Sequence, residues 1–374
     1  MWMYRSAAAA VLLAPFAVQA EVLPEDRADV MYHRYEGDNI TIEGPSLVVR
    51  KNLGSHLSMK GTYYVDSITS ASIDVVTNAS AYTEERTETG FGVDYLRGRT
   101  TVSMGFSNSD ENDFTAQTGY LQISQGMFGD LTTVSMGYSQ GKDEVRRTGD
   151  DAFLENAERR NFRLGLTQIL TRKLILGLNY EGITDEGYLN NPYRTVRYLN
   201  DDGSFSFQPE QYPNTRTSNA ASVTGRYHLP VKGALYGDYR WFEDTWGIGA
   251  DTYQVGYTQE FGERWTLDAH VRMYSQNSAD FYSDLFPREN AQNFLARDKE
   301  LSTFQSQTFG IGLRYEFAQN GLGFIDRGTI NLKYDHIQFN YDDFRNIPAG
   351  GNPGEEPLFE FTAGVVQFFM SLWF

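Results

Sequence analysis

The feature that most constrains this chain is a period-two alternation of apolar and polar residues, sustained for about ten residues at a time. From Trp265 to Met273 the positions Trp265, Leu267, Ala269, Val271 and Met273 are apolar, whereas Thr266, Asp268, His270 and Arg272 are polar or charged. From Phe309 to Phe317 the same split sets Phe309, Ile311, Leu313, Tyr315 and Phe317 against Gly310, Gly312, Arg314 and Glu316. Side chains change face at every residue of a strand but only every 3.6 residues of a helix, so only a strand sorts them this way. Leu174, Leu176, Leu178 and Tyr180 form a further set, as do Val134, Met136 and Tyr138, and Tyr253, Val255 and Tyr257. Tilted strands of this length cross a hydrocarbon layer.

Composition agrees with strands in a bilayer and excludes helices in one. Mean hydropathy is −0.48 although the chain carries 24 Tyr and 25 Phe, and no long apolar run follows residue 20. A barrel conceals its apolar half in such an average because alternate residues face water. A two-sheet sandwich also alternates, so the connections decide. Short turns are expected at Asn52 to Ser55, Arg97 to Arg99, Met127 to Asp130, Leu170 to Lys173, Leu229 to Lys232, Phe261 to Arg264 and Ala318 to Asp326. Between them stand mostly longer polar connections, the largest being Thr184 to Thr215, Gln276 to Glu300, Ser67 to Glu84 and Gly141 to Glu158, with Glu36 to Asn39 and Phe242 to Gly249 short. Short and long connections in alternation predict an all-β fold: a transmembrane antiparallel up-and-down barrel of about sixteen strands (range about 14 to 18), with tight periplasmic turns and long extracellular loops.

The termini fit that reading. Arg5, an apolar stretch from Ala7 to Val18 and the sequence Ala17-Val18-Gln19-Ala20 form a secretory signal, with cleavage expected after Ala20 and one barrel domain over residues 21–374. The absence of cysteine excludes a disulfide framework, thiolate-bound metal and a lipid anchor on the mature chain. Val366, Phe368, Met370, Leu372 and Phe374 form an apolar face ending in an aromatic residue, which resembles the signal read by the barrel-assembly machinery. Trp265 and Trp373 are expected near periplasmic strand ends and Trp241 near an external one, as in interfacial girdles.

Taking the opposite phase as the lumen places Lys60, Asp94, Arg163, Glu181, Arg226, Asp238, Arg240, Asp268, His270, Arg272, Arg314, Glu316, Lys333 and Asp335 inside. A barrel of about sixteen strands is wide enough for an aqueous passage unless loops fold into it. Two readings of the charges stand: a transverse field that orients polar solutes, or an ion-pair network that keeps a hydrated wall apart. The loops Thr184 to Thr215 and Gln276 to Glu300 are candidates for a lid or constriction, since both mix Phe, Tyr, Leu and Pro with their charges.

A net charge of −17 excludes a nucleic-acid partner, which needs clustered Lys and Arg. Acidic pairs such as Asp143-Glu144, Asp150-Asp151, Asp201-Asp202, Asp342-Asp343 and Glu355-Glu356 read as solvated loop surface, or as sites for divalent-cation bridging to neighbouring lipopolysaccharide in the outer-membrane lipid. Gly137-Tyr138-Ser139-Gln140-Gly141 has the pattern of a nucleophile elbow without the helix that should follow it. His33, His56, His228, His270 and His336 stand singly, with no metal-binding spacing. A hydrolase using His228 or His270 beside Ser222, Thr224 and Asp268 is the lesser alternative; neither an enzyme, a cofactor nor a metal is expected. No residue pattern marks an oligomer contact.

Asn190-Asn191-Pro192-Tyr193-Arg194, Thr215-Arg216-Thr217-Ser218-Asn219-Ala220, Asp244-Thr245-Trp246-Gly247-Ile248 and the stretch Ala279 to Phe304 resemble a family of uncharacterised exported proteobacterial proteins. The likeness covers essentially the whole mature chain. It implies an outer-membrane barrel bearing a domain-of-unknown-function label, with genes beside those for a thioredoxin-like protein, a small lipoprotein and a flavin transferase. A barrel that anchors or assembles a periplasmic redox or flavinylated partner is therefore the second reading, beside a porin-like or gated channel for small polar solutes. The resemblance supplies no catalytic residue.

Overall fold

The structure, a computed structural model, describes residues 22–70 and 82–374. Sixteen strands close into one antiparallel barrel: β1 (Arg27–Gly37), β2 (Ile40–Leu53), β3 (Leu57–Ser70), β4 (Tyr82–Arg97), β5 (Thr100–Asp110), β6 (Phe114–Met127), β7 (Thr132–Arg147), β8 (Asp150–Ile169) and β9 (Leu174–Gly187) form the first part. β12 (Thr215–Leu229), β13 (Gly233–Asp244), β14 (Gly249–Phe261), β15 (Trp265–Gln276), β16 (Phe304–Phe317), β17 (Arg327–Arg345) and β18 (Leu358–Trp373) complete it. Between β9 and β12 the chain makes a separate hairpin, β10 (Thr195–Leu199) with β11 (Phe205–Pro209). β12 pairs with β9, and β1 closes the ring against β18 in the register Val30 to Met370 and Tyr32 to Phe368. Closure leaves no unpaired edge, the condition for a sheet to stand in lipid.

The seven short turns join the strands at the end that carries both termini, and the eight other connections lie at the opposite, external end. Two expectations about the connections need correction, and a third lies partly outside the described residues. The polar stretch Gly141 to Glu158 is no loop: β7 and β8 continue through it as a hairpin and turn only at Thr148 and Gly149. Charged residues fall on both phases there, which breaks the alternation. Thr184 to Thr215 contains the β10–β11 hairpin, and strand pairing persists to Gly187. Part of Ser67 to Glu84 lies outside the described residues, as does the signal segment.

The register fixes which side chains share a face. Val30, Leu47, Tyr63, Phe91, Met104, Leu121, Met136, Phe162, Leu178, Val223, Tyr253, Val271, Ile311, Leu332 and Phe368 are exposed and share one phase around the ring. Each such side chain is worth about 1.5–3 kcal/mol when removed from water, so a belt of them is stable only against hydrocarbon. Val366, Phe368, Met370 and Leu372 belong to it. Trp265 and Trp241 take the same phase near the periplasmic and external ends, Trp265 packing on Tyr315 at 4.6 Å. Trp373 does not: it falls on the opposite phase, between the guanidinium groups of Arg27 and Arg327, 5.6 and 4.3 Å from its ring.

Candidate functional site

The site is the inner wall and the structure across its external mouth. All fourteen inward candidates lie on the phase opposite the apolar belt. Glu181 gathers three of their neighbours: its carboxylate accepts from Asn161 Nδ2 at 2.7 Å, Arg163 Nε at 2.9 Å and Arg240 Nη2 at 3.1 Å. Arg272 stands in register with Asp238 across Gln254, one inward step from Arg240. Asp268 accepts from Tyr236 and Thr258 at 3.0 and 2.8 Å, and His270 lies between Asp268 and Asp335, with Nδ1 and Nε2 at 3.7 and 3.4 Å. Asp94 pairs with Arg50, a cation not anticipated above. Lys60, Arg226 and Lys333 point at the rings of Tyr120, Tyr236 and Phe369, and Arg314 donates to Thr266 at 3.2 Å. Among the described residues the Glu316 side chain has no hydrogen-bond or ion-pair partner.

These pairs join strands no more than three apart, so they run along the wall and not across the barrel. Bulky inward rings lie flat as well. A Cβ on Gly256 would come within 2.2 Å of Tyr236, and one on Gly105 within 2.6 Å of Tyr120. Only glycine permits rings to approach the sheet so closely, and the effect is to keep them out of the lumen.

The external mouth is crossed by three loops. Tyr193 donates to Asp113 Oδ2 at 2.6 Å, in the β5–β6 connection, and accepts from Thr148 N at 2.7 Å. Only four residues on, Arg197 reaches Glu356 in the β17–β18 connection. Those connections are six strands apart one way round the ring and ten the other. Residues this close in sequence can serve both only if their segment spans the opening, since a chain covers about 3.3–3.6 Å per residue. Lys299 confirms the placement. Its amine pairs with Asp38 and lies 5.4 Å from the ring of Phe361, which shares its phase with the inward Gln367.

Arg197 is fully buried, and its guanidinium holds the lid together. It donates through Nε to Asp284 O at 2.9 Å and through Nη2 to Glu356 Oε2 at 3.0 Å, and also pairs with the Asp284 carboxylate. Arg297 donates to Asp284 Oδ1 at 2.9 Å and to the carbonyl of Arg345 at 2.9 Å, with its guanidinium 4.4 Å from the Phe344 ring. Burial pushes the Glu356 carboxyl up, but Arg197 overrides it and holds it below the usual range. A second junction joins the β9–β12 and β15–β16 loops: Glu210 accepts from Arg297 N at 2.7 Å and from Tyr212, and Arg194 meets Asp298 at 2.8 Å. Burial, then the charge of Asp298, pushes Glu210 up to about 7. Around these ions Leu189, Tyr212, Trp246, Ile248, Phe281, Ala296 and Leu301 form an apolar core shared by the lid loops and the β13–β14 turn.

Among the described residues, one carboxylate trio is close enough to share a cation: Glu84, Glu111 and Asp113 have oxygens within 4.8 Å of one another at the external rim. Arg86 Nε stands 3.8 Å from Glu111. Of the acidic pairs expected to be solvated, Asp143 and Glu356 are buried and Asp343 accepts from Thr303 N at 2.8 Å, whereas Asp202 stays on an exposed turn. Ser139 lies in extended β7, and His228 and His270 are on strands three apart in the ring. His33 pairs with Asp66 at 2.8 Å, an inward contact not anticipated.

The fold has known counterparts. A bacterial polysaccharide outer membrane secretin matches with a TM-score of 0.51 at 8% identity, over 94% of this chain and 100% of that one. OmpT of Vibrio cholerae gives 0.45 at 11% identity over 95% and 100%, and a Pseudomonas aeruginosa FadL homologue 0.43 at 9% over 94% and 91%. At such identities the likeness to the first extends to the fold alone, which is that of bacterial outer-membrane β-barrels. No curated protein matches the sequence. Over residues 154–324, from β8 through most of the lid to the turn after β16, the chain matches the family described as "Protein of unknown function (DUF3570)", here built into an outer-membrane-type β-barrel.

Proposed function

We propose that this protein is a gated outer-membrane channel for small polar solutes, exported with loss of residues 1–20 and closed externally by the three-loop lid. The observation that carries the reading is the pair Tyr193 and Arg197, which tie a single segment to nearly opposite rims above a wall of charged and hydroxyl groups. A static scaffold does not require its large inward rings to be folded flat on glycine, whereas a water-filled passage does. The lid is held by ion pairs and two small apolar clusters, contacts that can part while the barrel's ladder remains intact.

Planar-bilayer recording tests this. The intact protein should show rare or brief conductance steps, and deletion of residues 188–214 and 277–303 should make them steady. A silent bilayer in both cases would remove the channel reading. A silent barrel that co-purifies with a thioredoxin-like or flavinylated periplasmic protein would put the anchoring role in its place.

A further inference from the structure

We infer that the passage prefers anions, small ones bearing a carboxylate or phosphate, although the chain as a whole carries a charge of −17. This deepens the channel reading and rests on it. Below the lid the inward Lys and Arg are Arg27, Arg50, Lys60, Arg163, Arg226, Arg240, Arg272, Arg314, Arg327 and Lys333, against the carboxylates Asp29, Asp94, Glu181, Asp238, Glu260, Asp268, Glu316 and Asp335. The cations are more numerous and, more importantly, less engaged. Lys60, Arg226, Arg272, Arg314 and Lys333 have no carboxylate within ion-pair distance among the described residues; three of them face aromatic rings.

Most of the carboxylates are occupied, while Asp238, Glu260 and Glu316 have no ion-pair partner among the described residues. Asp94 is bound to Arg50, Glu181 is shared by two guanidinium groups and an amide, and Asp268 is wrapped by a phenol, a hydroxyl and His270. Acids nearer the lid are also paired, Asp66 and Glu88 with Arg86 and Asp185 with Arg159. At the level of Glu181 a solute therefore meets Arg163, Arg240 and Arg272 from one wall. The adjoining wall on β5, β6 and β7 presents Ser107, Thr118, Tyr120 and Ser139, without charge, and the strands opposite, β2 to β4, carry Arg50 and Arg86 with their paired acids Asp94, Asp66 and Glu88. Guanidinium groups bind carboxylate and phosphate through paired N–H donors, and a narrow low-dielectric surround strengthens their field. The remaining acid stands in the lid's ion pairs, in the Glu84, Glu111 and Asp113 trio at the external rim and on the outer surface.

The reversal potential across a KCl gradient decides the matter, recorded with the intact protein and with full-length Arg197→Gln, whose lid is weakened. Chloride-favouring reversal is expected, and Arg240→Gln with Arg272→Gln should move it towards zero. Potassium-favouring reversal, or a chloride preference unchanged in that double variant, overturns the anion assignment and leaves the channel standing. Silence from the intact protein and from Arg197→Gln alike overturns both.

Discussion

Arg197 shows how much a single guanidinium does in this molecule. Its fork engages Asp284 and Glu356, residues 87 and 159 positions away, inside a lid that excludes water from all three. Removing the cation leaves the buried Glu356 carboxylate without its ionic partner and Asp284 with Arg297 alone, a loss of about 3–5 kcal/mol when one partner of a buried pair is taken away. Arg197→Gln should therefore abolish hydrogen-exchange protection in β10 and β11 while the barrel strands keep theirs; equal protection in both variants would show that the apolar clusters alone hold the lid. Arg197→Lys should restore it only in part, because an ammonium cannot reproduce the two-pronged contact. Gly256 makes the complementary point for the wall. Gly256→Ala places a methyl where Tyr236 now lies and must turn that ring inward, so single-channel conductance should fall with little change in folding. An unaltered conductance would mean that the ring has room elsewhere.

Among the elements, the lid joins two ion centres that respond oppositely to pH. Glu210 has its carboxyl raised to about 7 by burial and then by Asp298, so closure favours its protonated form. Its contribution is intact below the ordinary carboxyl range and is lost as pH rises towards 7, where Arg194, Tyr212 and the Arg297 amide only partly offset the buried charge. Glu356 behaves in the reverse sense: held low by Arg197 against burial, it supports closure above the ordinary carboxyl value and loses that support as pH falls through its lowered one. Closed dwell times should accordingly shorten between pH 5 and pH 8, and Glu210→Gln should remove that dependence; a dependence surviving the substitution would place the titrating group elsewhere. The strands beneath were legible from sequence because hydrocarbon demands an apolar residue at every second position, as from Trp265 to Met273. The β7–β8 hairpin beyond Gly141 was not, since charged residues fall on both its phases. Nor could spacing reveal Arg197 with Asp284 and Glu356, whose partnership comes from loops meeting over the mouth and has no period.

For the molecule as a whole, the consequence of closure is that neighbouring residues of one strand live in different solvents. Val255 is exposed on the belt, whereas Gln254 faces the lumen between Asp238 and Arg272. A lysine at Val255 must place its ammonium in hydrocarbon, which costs about 2–4 kcal/mol near the bilayer midplane and less towards the interfaces. One residue earlier the same ammonium meets water and the Asp238 carboxylate, and the change should be under about 1 kcal/mol, the usual size of an exposed charge effect. Denaturant titration of Val255→Lys and Gln254→Lys in lipid vesicles should thus separate two variants of identical composition. In detergent-free buffer a sandwich would rank them the other way, because its water-facing surface would accept the lysine at Val255 and its core would reject the one at Gln254. The order of the two midpoints therefore reports which face of the sheet meets lipid, independently of any solute, conductance or partner.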